Sequence, residues 1–538
     1  MQTKYIIVTG GVLSGLGKGI ATASIARLLK NNKKIVTIKC DGYLNVDPGT
    51  MNPIEHGEVF VLADGGEVDM DFGHYERFLG ITCKSEWNLT SGKIFNRVVA
   101  NEREGKYLGK TIQIFPHITE EIKEWWKTLQ KTENADIMTI EIGGTVGDIE
   151  NSWFVEAARQ LKKQVGSQNV AYIHLTYVPF FETVGEPKTK PAQRDIALLR
   201  EKGITPDIVI CRSKNALPKK IKEKISLFCD IEENNIITGK DINCIYEVPI
   251  LFKEEGILER LKEKLKIETE GDLTEWTKLV QNIKTPKNQT TIAICGKYTE
   301  LKDSYASIIE ALTHAGAHCN TKVNLKWIET TDIETVKQKV EDALKGVDGV
   351  LIPGGFGSRG VEGKISIIKH IRENNIPFLG ICYGLQLAVI EFARNVCKLE
   401  GAHSIEIDEK TKHPVIDYIP EQRNIKSKGG TMRLGGCTAV LQKGTKVQAL
   451  YNADTALERH RHRYEVNPAY HEQLTKNGMI FSGMSENKQL VEYIELEKHP
   501  FFVATQAHNE LTSKLEKPNP LFLGFVHASL NKTFKNQS

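Results

Sequence analysis

One cysteine in this chain stands in a pattern that is typical of a catalytic nucleophile. Cys382 has one glycine two residues before it and another two residues after it, in the sequence Gly-Ile-Cys-Tyr-Gly. Glycines at these places permit a sharp turn from a strand into a helix, which exposes the middle side chain at the helix N-terminus and favours a thiolate. A buried structural cysteine is the alternative, and we predict that Cys382 is the nucleophile.

A thiolate nucleophile needs a base, and the base needs an acid that orients it. The sequence Thr-Gln-Ala-His-Asn-Glu at 505–510 offers His508 and Glu510. Their alternation predicts that both side chains face the same way on an extended segment. One histidine among 15 carries little weight alone, so the assignment depends on its pairing with Cys382. We predict a catalytic triad of these three residues.

A second chemical pattern lies near the start of the sequence, where Gly10–Gly19 is GGVLSGLGKG. An apolar run precedes it and apolar residues at helical spacing follow it, so the predicted order is strand, glycine loop and helix. Backbone N–H groups of such a loop, the helix N-terminus and Lys18 can together bind phosphate oxygens. A glycine-rich turn without a ligand is the alternative for this stretch alone.

This loop departs from the Walker pattern, in which a serine or threonine follows the lysine. Gly19 stands there instead, so carboxylates from elsewhere must hold Mg²⁺. Asp71 lies in an acidic run, and Glu141 ends an apolar strand that leads into a glycine turn. The acids at 69 and 71 are predicted to share one face of a strand, with solvated acids as the alternative.

A compact basic segment lies further along the chain. Lys188 and Lys190 are fixed by the neighbouring prolines 187 and 191, and such an arrangement suits the charge of a triphosphate. Gln193 can form a hydrogen bond beside them. A surface lysine cluster is the alternative reading of the same residues.

The composition limits the class of protein. The chain is 40% hydrophobic and 26% charged, which is typical of globular proteins, and its net charge of +3 is no signature of nucleic-acid binding. With no membrane-length apolar run and no signal-peptide pattern, we expect a cytoplasmic protein without nucleic-acid or membrane partners. Its ten cysteines form no C-x-x-C pair, which argues against a zinc site and a disulfide framework.

The elements that position these groups must form more than one domain, because 538 residues are too many for one hydrophobic core. Between residues 265 and 291 the sequence becomes polar and loses its periodicity. We predict a first domain at 1–266, an interdomain linker at 267–289 and a second domain at 290–538. Both domains alternate predicted strands and helices, which indicates the α/β class.

Several segments of the first domain resemble the synthetase domain of the CTP synthase family, in order and at the expected spacing. They are GGVLSGLGKG, KCDGYLNVDPGTMNP, HGEVFV, GHYERF, EIGGTVGDIE and VGEPKTKPAQ. In the second domain, GICYG, PGGFG at 353–357 and the histidine segment resemble class I glutamine amidotransferases. The resemblance implies a P-loop, dethiobiotin-synthetase-like doubly wound parallel sheet, followed by a flavodoxin-like amidotransferase type 1 domain.

The resemblance also assigns residues to ligands. It implies that ATP is bound by Gly15, Leu16, Gly17, Lys18, Gly19, Ile20, Lys39 and Asp71, and Mg²⁺ by Asp71 and Glu141. It implies that UTP, and CTP as feedback inhibitor, are bound by Ser14, Asp148, Ile149, Glu150, Lys188, Thr189, Lys190, Pro191, Ala192, Gln193 and Lys224. It implies that glutamine is bound by Gly355, Tyr383, Gly384, Leu385, Gln386, Glu406 and Arg463.

The activity that the resemblance implies is that of a C–N ligase of pyrimidine biosynthesis, which aminates UTP to CTP with ATP. The nitrogen comes from L-glutamine or ammonia, through a thioester on Cys382 and a 4-phosphorylated UTP intermediate. An internal ammonia channel with His56 as its gate, GTP as allosteric activator and a UTP-dependent homotetramer are further implications.

Two other functions remain open at this point. One is a different amidotransferase-coupled synthetase with another acceptor, against which the KTKPAQ segment and the Asp-Ile-Glu turn argue. The other is a non-enzymatic assembly or regulatory protein. The presence of every reacting side chain argues against that second alternative.

Some positions depart from the family pattern. The family has Phe and Pro at Ala507 and Asn509, and Leu-Gly-Met after the nucleophile where this chain has Tyr-Gly-Leu. It also has Tyr at Ser358, Ser at Gly15 and Pro at Gly42. None of these changes removes a reacting group. Loss of the proline beside His508 predicts a looser geometry of the base.

Overall fold

The structure is a computed structural model that describes residues 2–49, 51, 57–183, 185–297, 302–419 and 432–537. His56, the predicted channel gate, lies outside the described residues. Contacts divide the chain into two compact units. One unit contains Met1–Pro48 and His74–Thr277, and the other contains Gly49–Gly73 and Lys278–Ser538.

The strands of the described residues are numbered here in chain order. They are β1 (Lys4–Gly10), β2 (Ile35–Asp41), β3 (Phe60–Val61), β4 (Glu67–Val68), β5 (Asn88–Thr90), β6 (Ile137–Ile142), β7 (Val170–Tyr177), β8 (Phe180–Phe181), β9 (Glu186–Pro187), β10 (Ile208–Ser213), β11 (Ile236–Lys240), β12 (Asn288–Gly296), β13 (Thr321–Glu329), β14 (Gly349–Ile352), β15 (Phe378–Ile381), β16 (His403–Ser404), β17 (Pro414–Tyr418), β18 (Arg433–Leu441), β19 (Thr455–His462), β20 (Tyr464–Val466), β21 (Ile480–Ser485), β22 (Val491–Glu495) and β23 (Phe502–Thr505).

The α-helices are numbered in the same way. They are α1 (Lys18–Leu29), α2 (Asp71–Leu79), α3 (Ser91–Arg103), α4 (Thr119–Thr132), α5 (Ser152–Val165), α6 (Lys190–Glu201), α7 (Lys219–Cys229), α8 (Val248–Glu254), α9 (Ile257–Leu265), α10 (Thr274–Lys284), α11 (Ala306–His318), α12 (Thr330–Glu334), α13 (Val340–Ala343), α14 (Val361–Glu373), α15 (Tyr383–Asn395), α16 (Lys446–Tyr451), α17 (His471–Lys476) and α18 (Pro520–Gln537).

The first unit is built on a seven-stranded sheet in the order β11-β10-β7-β1-β6-β2-β5. Every neighbouring pair of strands runs parallel. Because β1 lies in the middle and later strands are added on both sides of it, the sheet is doubly wound, as predicted. All residues of β2 and β6 are buried, as expected for inner strands of a parallel sheet covered on both faces.

The second unit contains a nine-stranded sheet in the order β13-β12-β14-β15-β23-β22-β21-β18-β19. The strands from β13 to β23 in this order are parallel, and the remaining neighbours are antiparallel. One hydrophobic cluster contains buried residues of α14 and α15, and another contains buried residues of α11 and α18. The parallel part matches the predicted flavodoxin-like domain, and the antiparallel strands extend it.

Two local predictions about secondary structure are wrong. Asp69 and Asp71 do not share a strand face, because β4 ends at Val68 and Asp71 begins α2; the Asp69 side chain accepts from the Asp71 N–H at 3.2 Å. The predicted linker contains helix α10 and the start of β12. In that helix Trp276 is fully buried and its indole N–H donates to the carbonyl oxygen of Tyr246 at 2.7 Å. Leu279 and Val280 are buried as well, so an apolar face anchors an otherwise polar segment.

The described residues include no helix that is long and apolar enough to cross a membrane. All ten cysteines have free thiols.

Candidate active site

The candidate nucleophile occupies a sharp turn, with Cys382 between the end of β15 and the start of α15. Its φ of 50° and ψ of −98° are strained for a residue with a side chain. The Cys382 N–H donates to the carbonyl oxygen of Thr505 at 2.7 Å, which joins the turn to β23. The predicted order of strand, turn and helix is therefore present.

The two glycines of the cysteine pattern are needed because other backbone segments approach the turn closely. A Cβ atom on Gly384 would lie 2.3 Å from the carbonyl oxygen of Ile352, and one on Gly380 would lie 2.9 Å from the Cβ of Ala504. Neither glycine has a positive φ. The pattern therefore reflects close packing of neighbouring backbone and side-chain atoms rather than a conformation reserved for glycine.

We expect Gly384→Ala to lower the free energy of unfolding of this unit by about 1–3 kcal/mol, because the added methyl group forces a packed carbonyl group to move. Thermal unfolding followed by circular dichroism measures the effect as a lower melting temperature. Glutamine-dependent activity should fall as well, because the same shift displaces Cys382. An unchanged melting temperature would show that the turn accommodates a methyl group.

The predicted base and acid meet beside the nucleophile. Nδ1 of His508 lies 2.8 Å from Oε1 of Glu510, and the same ring lies near enough to the sulfur of Cys382 for the two groups to interact electrostatically. The predicted extended segment is wrong, since Asn509–Thr512 form a 3-10 helix, but this turn still brings the two side chains together. The structure thus places all three members of the predicted triad in one site.

The charges around His508 favour its protonated form. Burial of the ring lowers the pKa of His508, but the Glu510 carboxylate and the Cys382 sulfur raise it, and the result is a pKa well above the usual value. The imidazolium therefore lies beside two groups that stabilise its positive charge. This arrangement is suited to a thiolate nucleophile with a proton donor beside it.

Removing the Glu510 charge should move the pH dependence of glutamine hydrolysis. In Glu510→Gln the main group that raises the pKa of His508 is lost, so the imidazolium deprotonates at lower pH and the alkaline limb of kcat/KM shifts to lower pH. Glutamate release measured across the pH range tests this. Glu472→Gln, which changes an exposed glutamate of the same unit, is the control and should leave the limb in place.

The predicted oxyanion loop is held at Gly357 by two hydrogen bonds, one to its N–H and one to its carbonyl oxygen. Its N–H donates to Oε1 of Glu406 at 2.9 Å, and its carbonyl oxygen accepts from the Tyr383 hydroxyl at 2.7 Å. A Cβ atom on Gly354 would lie 2.7 Å from Cε1 of His508, so the loop backbone lies against that ring. Gly355, between these two points, is exposed and accessible to a substrate.

The sequence analysis missed Gln506, which contacts the nucleophile. Its Nε2 lies 3.6 Å from the sulfur of Cys382, and its Oε1 accepts from Nε2 of Gln386 at 3.3 Å. Gln386 also donates to the carbonyl oxygen of Tyr464 at 3.0 Å. The available signal was the alternation that relates 506 to His508 in the same segment.

The other residues predicted to bind the substrate glutamine differ in their surroundings. Leu385 is fully buried and its side chain belongs to the hydrophobic core, so that side chain does not face a substrate. Arg463 is half-buried, and its carbonyl oxygen accepts from the N–H of Ile419 at 3.0 Å. Burial raises the pKa of the Glu406 carboxyl.

In the first unit, the predicted phosphate loop joins β1 to α1. Gly15 and Gly17 have φ values of 79° and 84°, a conformation that favours glycine. The following lysine, Lys18, is 9% exposed, and its Nζ donates to the carbonyl oxygen of Gly144 at 2.7 Å. Because Gly144 follows β6, the lysine spans the loops at the carboxyl ends of two adjacent strands.

The predicted metal ligand Glu141 is buried in the same unit. Nζ of Lys39 lies 3.2 Å from Oε1 of Glu141, and the Tyr75 hydroxyl donates to its Oε2 at 2.5 Å. Asp71 belongs to the second unit, so the pairing of these two acids at a metal stays a prediction.

The predicted pyrimidine-binding residues lie in the first unit, in loops, in the first turn of α6 and, for Lys224, in the middle of α7. Helix α6 begins at Lys190, whose Nζ lies 5.6 Å from the ring centre of Phe228. Nε2 of Gln193 donates to the Thr189 hydroxyl at 2.9 Å. The other members are Ser14, Asp148, Ile149, Glu150, Lys188 and Lys224, which are exposed or half-buried, Pro191, which is half-buried, and Ala192, which is buried.

Comparisons with known proteins identify the family. The model described as "CTP synthase N-terminus" matches residues 4–267, and that of "Glutamine amidotransferase class-I" matches 300–528. The CTP synthase of Methanococcus maripaludis is 55% identical over 98% of this chain and 100% of its own length. That of Methanocaldococcus jannaschii is 53% identical over 99% of each chain. The solved glutaminase domain of Trypanosoma brucei CTPS with bound acivicin is 34% identical, covers 45% of this chain and 94% of its own, and has a TM-score of 0.43. The chain therefore belongs to the CTP synthase family of glutamine-dependent ligases.

Proposed function

We propose that this protein aminates UTP to CTP with ATP as co-substrate and with ammonia released from glutamine. The observation that carries the proposal is the contact of Cys382, His508 and Glu510 at the turn between β15 and α15. The full-length similarity to CTP synthases supports the acceptor, because the match covers both domains and not the glutaminase domain alone.

In the glutaminase half, the thiolate of Cys382 attacks the side-chain amide carbon of glutamine. The carbonyl oxygen becomes an oxyanion, which N–H groups near Gly355 stabilise. His508 gives its proton to the departing nitrogen, so ammonia leaves and a thioester remains. His508 then takes a proton from water, which attacks the thioester, releases glutamate and restores the thiolate.

In the synthetase half, ATP transfers its γ-phosphoryl group to O4 of the uracil ring. Ammonia attacks C4, the C4–O4 bond breaks and phosphate leaves, so the products are CTP, ADP and phosphate. Lys18 and Lys39 bind ATP phosphates in this proposal, and the glycine loop donates backbone N–H groups. Because ammonia becomes an inert ammonium ion in water, we propose that it travels inside the protein.

Mg²⁺ fits the oxygen donors proposed for it. The described residues contain no group of three or more His, Cys, Asp or Glu side chains that could hold a metal. Mg²⁺ is commonly bound by one or two carboxylates together with substrate phosphates, so Asp71 and Glu141 suffice as protein ligands. Bound there, Mg²⁺ would neutralise part of the negative charge of the substrate phosphates.

The remaining parts of the proposal concern regulation and organisation. The basic segment Lys188–Gln193 with Lys224 binds the triphosphate of UTP, and CTP competes for part of that site. GTP as activator, the homotetramer and a cytoplasmic location stay predictions. The predicted domains, 1–266 and 290–538 with a linker between them, are supported by the spans of the two family models.

The experiment that tests the proposal supplies UTP, ATP and Mg²⁺ to the purified protein, with nitrogen as glutamine plus GTP in one reaction and as ammonium chloride in another. CTP is quantified by chromatography, and CTP in both reactions is expected. CTP formed only in the ammonium reaction would contradict the proposed glutaminase activity and leave the proposed synthetase activity in place. If neither reaction forms CTP, UTP is not the acceptor, and the two alternatives are another acceptor and a non-enzymatic role.

A further inference from the structure

We infer that Asn509 is a positioning residue of the glutaminase site: its side chain, bound to Thr505 and Tyr451, fixes the segment that carries His508 and Glu510. This inference rests on the proposed glutaminase function and adds a residue to it. Asn509 is fully buried and lies between the base and the acid in the sequence.

Both ends of the Asn509 amide are occupied. Oδ1 accepts from the Thr505 hydroxyl at 2.9 Å, and Nδ2 donates to the Tyr451 hydroxyl at 2.6 Å. The Thr505 oxygen in turn accepts from the N–H of Ala507 at 3.1 Å. These bonds close the catalytic segment on itself and attach it to the end of α16. The geometry is therefore ordered although the family proline is absent.

The attachment continues to a buried carboxyl group. The Tyr451 hydroxyl donates to Oε1 of Glu458 at 2.6 Å. Oε1 also accepts from Asn519 at 2.8 Å, and Oε2 accepts from the Thr512 hydroxyl at 2.6 Å. Glu458 is 4% exposed and lies on β19. Three donors fix this carboxyl group, so Asn509 is connected to a rigid part of the sheet.

The catalytic acid depends on this attachment more than on its own contacts. Glu510 uses Oε1 for His508, and its buried Oε2 has no hydrogen-bond partner among the described residues. The base is held by its backbone, because the His508 N–H donates to the carbonyl oxygen of Arg459 at 2.7 Å. The residue between them, Asn509, therefore sets where the carboxyl group of the acid lies.

The test compares Asn509→Ala, Tyr451→Phe and the double variant, in the full-length protein. In Asn509→Ala we expect kcat for glutamine-dependent CTP synthesis to fall about 10- to 100-fold, because the base and acid lose alignment, with KM for glutamine changed less than about threefold. Ammonium-dependent synthesis should remain at the wild-type rate. Tyr451→Phe should have a similar effect, and the double variant little more, because both changes break one connection.

The pH profile separates positioning from general destabilisation. A displaced Glu510 supports the imidazolium less, so the alkaline limb of glutamine hydrolysis should move to lower pH in Asn509→Ala. Asn169→Ala is the matched control: Asn169 is 1% exposed, and each end of its amide has one partner, Lys4 and the carbonyl oxygen of Val165, but it lies in the other unit. It should leave kcat and the pH limb unchanged.

The outcomes are distinct. If Asn509→Ala keeps kcat and the pH limb, or if it and Asn169→Ala reduce the glutamine and ammonium reactions alike, the inference is wrong while the proposed function stands. If the wild-type protein releases no glutamate from glutamine, the proposed glutaminase function is wrong and the inference falls with it.

Discussion

Replacing the proposed nucleophile in Cys382→Ala is expected to reduce glutamine-dependent CTP synthesis by about 10⁴-fold or more, because no other group in the predicted triad can form the proposed thioester. CTP synthesis from ammonium chloride should remain at the wild-type rate, since in the proposed mechanism the cysteine serves only to release ammonia. The measurement is CTP formation by chromatography with each nitrogen source, together with glutamate release.

The contrast between the two nitrogen sources makes this prediction specific. A misfolded protein would lose both reactions, whereas the loss of a nucleophile removes one. Cys319→Ala is the matched control, because it removes another thiol of the same unit, at the end of α11, and should leave both reactions unchanged. Glutamine-dependent synthesis that persists in Cys382→Ala would show that another group is the nucleophile.

The environment of Cys382 explains why its place on a sharp turn between a strand and a helix was predictable from the sequence. The turn needs glycine at 380 and 384 because backbone atoms of Ile352 and neighbouring groups lie against it, and this requirement fixes residue types two positions away. A local geometric requirement of this kind leaves a local sequence signal. The same holds for the phosphate loop, where Gly15 and Gly17 adopt positive φ values beside Lys18.

Contacts that depend on distant segments left no such signal. Gln506 reaches the sulfur only because β23 is the neighbour of β15 in the sheet, and strand order cannot be derived from the residues of either strand. The bond from Asn509 to Tyr451 joins residues that are 58 positions apart. A sequence pattern indicates which face of a helix or strand a side chain lies on. Which residue it contacts there depends on tertiary packing.

The errors in secondary structure have a common cause. Helix α10 was overlooked because most of its residues are polar, although Trp276, Leu279 and Val280 stand at helical spacing and are buried. Glu510 was placed on an extended segment because alternation is compatible with both a strand and a short 3-10 turn. In both cases a packing partner decided between conformations that the sequence allows.

The segment Gly49–Gly73 belongs to the second unit, so the two units are not separated at a single point in the sequence. Within the second unit, the Arg459 guanidinium donates to the carbonyl oxygen of Val61 at 3.0 Å. The N–H of Gly436 donates to the carbonyl oxygen of Ala63 at 2.8 Å. These bonds use backbone carbonyl groups, which every residue has. A sequence therefore gives no sign of them, although the residues precede most of the first unit in the chain.

Removing the lysine of the predicted phosphate loop in Lys18→Ala should lower CTP synthesis by about 10²- to 10³-fold with either nitrogen source, because the charge proposed to stabilise the transferring phosphoryl group is lost. The side chain is nearly buried and its Nζ lies 2.7 Å from the carbonyl oxygen of Gly144, so its charge is held between two loops at the edge of the sheet. CTP formation with saturating UTP and varied ATP measures the loss in kcat and KM.

Lys123→Ala is the matched control for this change, since Lys123 is also a buried lysine of the first unit, at 4% exposure, but bonds to Glu120 and Gln160 on helices away from the loop. It should keep CTP synthesis near the wild-type rate. Alkylation of Cys382 by iodoacetamide should proceed equally in all three proteins, because the cysteine environment is unaltered. If Lys18→Ala synthesises CTP at the wild-type rate, the glycine loop is a structural turn, and ATP must bind elsewhere in the protein.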